Sequence, residues 1–265
     1  MSLFRKARNA FELLREDGFH AVVAVIRRRY GVPIPQSSRS TWKAGIKSEL
    51  IFWDSYFATK GLDWPEDYRR RNDPDDPLQP RLAALLPAQA AVSILDVGAG
   101  PLTYVGKKVA GKQLSITAVD PLAGDYDELL ARHGIEPIVR TQPADAEQLT
   151  TRFPPESFDF VYARNCLDHS YDPERAITQI IDVTKPDCHA LLEHRPNEGE
   201  SEEYGGFHQW NFSSSPAGEF IISSPSKPTV NMTEKYRSVC TIFCEETSEP
   251  GEGPWLVTRI HKHPR

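Results

Sequence analysis

The chain has 265 residues, a formal net charge of -6 and a pI near 5.8, enough to bury one full domain core and still carry an extension. The acidic balance argues against a general nucleic-acid binder, because phosphate neutralisation calls for a basic surface. No apolar run reaches the ~18 residues of a transmembrane helix, and the N-terminus, charged at Arg5, Lys6 and Arg8 and interrupted by Glu12, Arg15, Glu16 and Asp17, lacks a signal-peptide core, so a cytoplasmic protein is expected.

Residues 3–14 and 19–30 both show helical periodicity, separated by Asp17 and Gly18. The second carries Ala21-Val22-Val23-Ala24-Val25-Ile26 followed by Arg27, Arg28 and Arg29. This basic amphipathic hairpin suits two readings: a cap packed on the domain, or a peripheral contact with the inner membrane surface through the apolar face and adjacent arginines. A Pro/Ser linker over 31–40 follows. Residues 48–68 place Glu49, Phe52, Trp53, Phe57 and Trp64 at mostly helical spacing before the turn at Trp64-Pro65, a pattern that suits core packing. Residues 72–80, polar and proline-rich, read as the linker into a second region. The expected division is a helical extension or lid over 1–80 and a main domain over 81–265.

The main domain opens on Val-Ser-Ile-Leu-Asp-Val-Gly-Ala-Gly-Pro-Leu at 92–102. An apolar run of strand length before Gly98-Ala99-Gly100 puts a glycine turn at the carboxyl end of a buried strand, where open α/β sheets bind nucleotide-like ligands. A Walker loop is absent, and Thr103 stands where a dinucleotide fingerprint would need a third glycine. Alternation continues with a helix over 103–110, a strand over 114–119 closing on Asp120, a helix over 125–133, and a third strand at 137–140. Then come a strand over 158–163, a helix over 173–183 started by Asp172-Pro173, and a strand over 188–193. This implies an α/β fold with a parallel sheet. Stretches 237–245 and 255–261, around Pro250-Gly251-Glu252-Gly253, read as an antiparallel hairpin.

From residue 82 onward this order resembles the class I S-adenosylmethionine-dependent methyltransferases. The family's acid-Gly-x-Gly motif is matched by Asp96, Gly98, Ala99 and Gly100. The resemblance implies a Rossmann-like, mostly parallel sheet with the C-terminal hairpin antiparallel, and S-adenosylmethionine as cofactor with S-adenosylhomocysteine as product. It implies that Asp120, followed by Pro121, holds the ribose, that Asp145 and Ala146 lie near the adenine amine, and that the loop opening at Asn165 faces the cofactor. Lys185-Pro186 matches the family's Lys-Pro-Gly-Gly turn, with Asp187 and Cys188 replacing the glycines; Leu102 stands where many members carry a third glycine. Helices ahead of such a core commonly cover the cofactor mouth, which makes Trp53, Tyr56 and Tyr68 lid candidates, the first two facing the substrate.

Methyl transfer from a sulfonium is an in-line displacement, so the protein mainly positions the acceptor and, for a hydroxyl, removes its proton. Arg164-Asn165-Cys166-Leu167-Asp168-His169 follows a strand directly. His169 as base with Asp168 as its orienter is the pairing that general-base catalysis wants; a helix-capping loop is the competing reading. A second dense segment runs Glu193-His194-Arg195-Pro196-Asn197-Glu198, then Tyr204 to Asn211. There His208 is a further catalytic candidate, and Arg164, His194, Gln209 and Trp210 are candidates to hold a polyol or sugar by stacking and hydrogen bonding. His169, Glu193, His194 and His208 would ligate a divalent ion only if they converged; no helix-borne His pair is present, so no metal is expected. Cys166, Cys188, Cys240 and Cys244 show no Cys-x-x-Cys spacing, which suits reduced thiols. The expected activity is O-methylation of a saccharide or other small polar metabolite, with no nucleic-acid partner and oligomeric state open. The alternatives are N- or C-methylation of a small molecule, or an inactive cofactor-binding scaffold.

Overall fold

The computed structural model describes residues 39–204, 207–249 and 253–265. The basic hairpin expected over 3–30, with its membrane reading, and most of the 31–40 linker lie outside the described residues. Arg39 and Ser40 already belong to helix α1 (Arg39–Thr59). A short α2 (Pro65–Arg71) follows with Pro65 in its first turn, then a single turn, α3 (Pro80–Ala83). The apolar stripe of α1, Trp53, Tyr56 and Phe57, is buried with Leu102, Leu122, Tyr126, Leu129 and Leu130 of the main domain, while Phe52 and Trp64 stay exposed. Among the described residues no helix is long and apolar enough to cross a membrane.

Strands β1 (Ala91–Val97), β2 (Gln113–Val119), β3 (Phe158–Arg164) and β4 (Thr184–His194) pair in parallel in the order β2-β1-β3-β4. β3 is buried along its length up to Arg164, as a strand covered on both faces must be. Between β2 and β3 runs α4 (Ala123–His133); between β3 and β4 runs α5 (Pro173–Val183). Asp172 caps α5, its Oδ1 accepting from the Arg175 amide at 3.1 Å, and Ala176, Ile177, Ile180 and Ile181 bury one face of that helix. At the sheet's foot Asp159 accepts from the Ser93 amide and hydroxyl and from Gln89 and Lys185, tying β1 to β3.

Beyond β4 comes α6 (Glu198–Ser201), then an antiparallel sheet of β5 (Asn211–Ser214), β6 (Phe220–Ser224) and β7 (Lys227–Asn231), and a turn of helix, α7 (Met232–Tyr236). β8 (Cys240–Glu249) and β9 (Gly253–Lys262) form the expected hairpin, with β9 antiparallel to β4. The small sheet has no counterpart in the sequence reading. Its strands are four or five residues long, the first two ending in serines, and their buried Phe212, Phe220 and Ile222 join the core around α5.

Two expected elements are absent. Residues 103–110 form no helix, because their backbone partners lie in the preceding segment. Gln79 donates to Tyr104 O at 2.7 Å and accepts from the Gly106 amide; Asp76 O accepts from the Lys107 and Lys108 amides; Leu78 N donates to Lys108 O. The 72–80 stretch is thus a brace rather than a free linker. Residues 137–140 form no strand either: only Gln142 bridges Val119. Pro137 and Pro143 bracket the stretch and remove two donors from an edge position.

Candidate active site

β1 and β2 run to one side of the sheet and β3 and β4 to the other, so the chain reverses at β1, and ligands of open α/β sheets sit outside the carboxyl ends at such a point. There Gly98 and Gly100 both have positive φ, +66° and +63°, which glycine adopts without Cβ strain. The Gly98 and Ala99 amides donate to Val119 O, pinning the turn to β2. Asp96 is buried and accepts from Thr103 Oγ1 at 2.5 Å; burial raises its carboxyl to about 6. Asp120 accepts from the Leu122 amide at 2.9 Å through Oδ1 and from the Gly100 amide at 3.2 Å through Oδ2. Burial pushes it to about 7. Pro121 follows it, partly exposed.

Asp145 borders a cleft of about 270 Å³ that Pro143, Ala144, Gln148, Thr151 and Arg152 also line. Its Oδ2 accepts from Arg39 and Gln148, both at 3.3 Å, and Ala146 opens the 3-10 turn Ala146–Thr151. Asn165, at φ +47°, is the first residue after β3. Its amide donates to Glu193 O, and its side-chain Oδ1 is buried without a partner.

The loop after β3 then turns tightly, with His169 N donating to Cys166 O and Ser170 N to Leu167 O. This brings Asp168 and His169 against His208. Asp168 Oδ2 lies 2.9 Å from His208 Nδ1 and 3.3 Å from His169 Nε2, and the two imidazole nitrogens are 3.2 Å apart. Asp168 is 1 % exposed and its Oδ1 has no partner; each histidine side chain is 19 % exposed. Burial works to raise the Asp168 carboxyl, yet the charges of the two imidazoles and the His208 hydrogen bond hold it below the usual carboxylate range. Burial also disfavours His208 as a cation, but the Asp168 hydrogen bond and charge overcome it and raise His208 to about 9. Burial keeps His169 below its ordinary value. The result is an ion pair, Asp168 with His208, beside a neutral imidazole.

The remaining sequence candidates hold the site's frame. His194 Nε2 accepts from the Leu167 amide at 3.3 Å, its ring packs on Phe212, and burial lowers it to about 4. Trp210 Nε1 donates to Ser170 O, and the Gln209 amide and side chain donate to Asp168 O and Tyr204 O. Arg164 lies between the rings of Tyr104, at 4.2 Å, and Trp255, at 3.9 Å, and pairs with Glu193 at 2.8 Å. Glu193 also meets Arg81 and the Tyr162 hydroxyl, so the convergent set contains neither Glu193 nor His194. Tyr56 donates to Asp67 inside the α1–α2 packing. Trp53 covers Gly100, where a Cβ would stand 2.8 Å away.

Residues 95–192, from inside β1 to inside β4, match a family described as a methyltransferase domain. Over that segment the chain resembles the class I S-adenosylmethionine-dependent methyltransferases. That resemblance supports S-adenosylmethionine as the chain's cofactor. Its fold is similar to that of a Methanosarcina mazei S-adenosylmethionine-dependent methyltransferase, at 17 % identity over 71 % of this chain and 100 % of that one, with a TM-score of 0.41. A Mesorhizobium loti S-adenosylmethionine-dependent methyltransferase matches at 16 % identity over 69 % of this chain and 96 % of that one, TM-score 0.43. A Haemonchus contortus phosphoethanolamine N-methyltransferase, solved with phosphomonomethylethanolamine and S-adenosylhomocysteine, matches at 15 % identity over 69 % of this chain and 51 % of that one, TM-score 0.47.

Sequence reasoning missed three neighbours of the cluster. Glu198 Oε1 is 3.9 Å from His208 Nδ1, and its other oxygen is buried without a partner; burial raises that carboxyl to about 8. Phe207 touches the His169 ring and stacks on Trp42 of α1 at 5.7 Å. Cys166 fills the space beside Gly98. The density of acids and aromatics around 193–211 was the only signal for the first two.

Proposed function

We propose that the chain is an O-methyltransferase of a small polar hydroxylated acceptor, a saccharide being the best fit, and that its acceptor is deprotonated at Asp168, His169 and His208. The observation that carries this reading is the convergence of those three side chains at the carboxyl end of β3, on the edge of the sheet that holds the glycine turn. A neutral hydroxyl is a poor nucleophile, and a basic nitrogen within reach of it contributes typically 10²–10⁴-fold.

The residues of the turn fit the cofactor. Asp120 keeps lone pairs free on both oxygens for a ribose diol, with Pro121 shaping its exit. The cleft beside Asp145 and Ala146 suits an adenine edge. Asp96, Gly98, Ala99, Gly100 and Asn165 surround the remainder, and the Asn165 Oδ1 left without a partner is a free acceptor for an ammonium group. When bound, S-adenosylmethionine supplies a methyl group on a sulfonium. His169, unprotonated, accepts the acceptor's proton; Asp168 stabilises the imidazolium that forms; His208 holds the Asp168 carboxylate in place. Phe207 and Trp42 exclude water from above, so α1 acts as a lid. His194, Arg164, Gln209, Trp210 and Tyr56 position this frame rather than touch the acceptor. The acidic surface supports a small-molecule or glycan acceptor over nucleic acid, in the cytoplasm.

The test is methyl transfer to a panel of saccharides and polar metabolites, with His169→Ala and His208→Ala beside the wild type. Losses of ~10²-fold or more with unchanged S-adenosylhomocysteine affinity support the reading. Transfer only to amines or to carbon overturns it, and cofactor binding without transfer to any acceptor indicates a scaffold.

A further inference from the structure

We infer that Asp168, His169 and His208 form a site for one divalent transition-metal cation, whose open face takes two adjacent hydroxyl oxygens of the acceptor. This rests on the reading of the cluster as the place where the acceptor hydroxyl is activated. Among the described residues this is the one group of three His, Cys, Asp or Glu side chains with ligand atoms so close together. Other histidines are used in pairs, His133 with Asp54 and His261 with Asp187.

The geometry asks for a cation. Asp168 Oδ2, His169 Nε2 and His208 Nδ1 form a triangle with edges of 2.9, 3.2 and 3.3 Å. A ring nitrogen carries at most one hydrogen, directed along its own axis, so two protons at most serve three edges, and if both nitrogens are protonated their hydrogens crowd the same space. A cation satisfies all three lone pairs together. The corners lie about 1.8 Å from the triangle's centre, so an ion ~2.1 Å from each atom, the usual distance to imidazole or carboxylate, sits about 1 Å out of the plane. That is a three-ligand facial arrangement of two histidines and one carboxylate, with open positions on the far side. Such a donor set suits zinc, manganese, iron(II) or cobalt rather than calcium.

Two buried oxygens without partners stand nearby, Asp168 Oδ1 and Glu198 Oε2. Asp168 supplies one negative charge to the ion, and Glu198 stands beside the cluster as a further carboxyl group. A coordinated hydroxyl loses its proton more readily; adjacent hydroxyls of a saccharide fill two open positions as one chelate. With the ion bound His169 is a ligand and no longer the base, and the hydroxyl proton passes to Glu198.

The test uses the full chain freed of metal with EDTA and titrated calorimetrically with zinc or manganese chloride alone. One ion per chain is expected, and Asp168→Asn, His169→Ala and His208→Ala should each weaken binding by at least ~100-fold. S-adenosylhomocysteine affinity in EDTA shows that each variant is folded, and cobalt loading gives an absorption signature that the same variants should abolish. No stoichiometric binding, or binding that survives in folded His169→Ala and His208→Ala, overturns the site. The two readings fail separately. An ion bound at the cluster without transfer to any hydroxyl overturns the O-methylation reading and leaves the site. Full-rate transfer to a hydroxyl in EDTA overturns the metal's role and leaves His169 as base.

Discussion

Trp53 roofs Gly100: a Cβ on that glycine would stand 2.8 Å from Trp53 Cζ2. The guanidinium of Arg71 lies 5.7 Å from the Trp53 ring and donates to Leu102 O at 2.5 Å, while Trp53 Nε1 donates to Glu49. Helix α1 is therefore fastened to the turn expected to bind the cofactor, not merely laid over the domain.

That contact predicts coupling. Gly100→Ala places a side chain at φ +63° and against an indole, and Trp53→Ala removes a buried aromatic at a cost of about 3–5 kcal/mol. In urea unfolding, Gly100→Ala should cost less in the Trp53→Ala background, with an interaction energy of at least ~0.5 kcal/mol. Strictly additive losses would show that the indole does not restrict the turn.

Asp120 should make cofactor affinity depend on pH. Burial holds its carboxyl near 7, and only the carboxylate accepts from both ribose hydroxyls. Affinity for S-adenosylhomocysteine measured calorimetrically should rise between pH 6 and pH 8 and stay flat in Asp120→Asn. Asp120→Ala should cost ~1–3 kcal/mol at pH 8. A flat wild-type profile would remove Asp120 from the ribose role.

Glu147 offers a second pH signature, in stability. It is 3 % exposed, accepts from the Tyr171 and Asp172 amides, and burial raises it from 4.5 to about 7. Because the folded value lies above the unfolded one, its contribution is fully present below pH 4.5 and is lost as pH rises through 7, on the order of 3 kcal/mol. Glu147→Gln keeps the acceptor oxygen and removes the titration. The melting temperature of the variant relative to wild type should climb from pH 5 to pH 8; a constant difference would contradict the burial argument.

Asp159 should matter for folding alone. It is 4 % exposed and accepts from Ser93, Gln89 and Lys185. Burial acts to raise its carboxyl, but the hydrogen bonds from Lys185 and Ser93 leave it lowered overall. Asp159→Ala strands several donors and should destabilise by ~2–4 kcal/mol, with cofactor affinity intact in the folded fraction. A loss of affinity with unchanged stability would reverse that assignment. Here Lys185, first noticed as part of a family turn, proves to brace β4 against β3.

The sequence by itself determined the parallel strands, the two amphipathic helices α4 and α5, the hairpin of β8 and β9, and the glycine turn between Asp96 and Asp120. Each is a local pattern: apolar runs of strand length, a 3.6-residue stripe, a capping Asp-Pro pair, and glycines where φ turns positive. Only the tertiary structure decided the rest. Residues 103–110 satisfy a helical pattern, but their backbone groups find partners in 76–79, and long-range hydrogen bonding overrides propensity. The strand expected at 137–140 loses to the prolines on either side. The cluster was half legible. Asp168 and His169 were readable as neighbours after a strand, but His208, 39 residues beyond His169, reaches them only because the 207–210 segment is held by Asp168 O and Ser170 O. Ligand spacing along a chain reports a site only when one element carries it; here two loops do, and packing alone sets the 3.2 Å between their imidazoles.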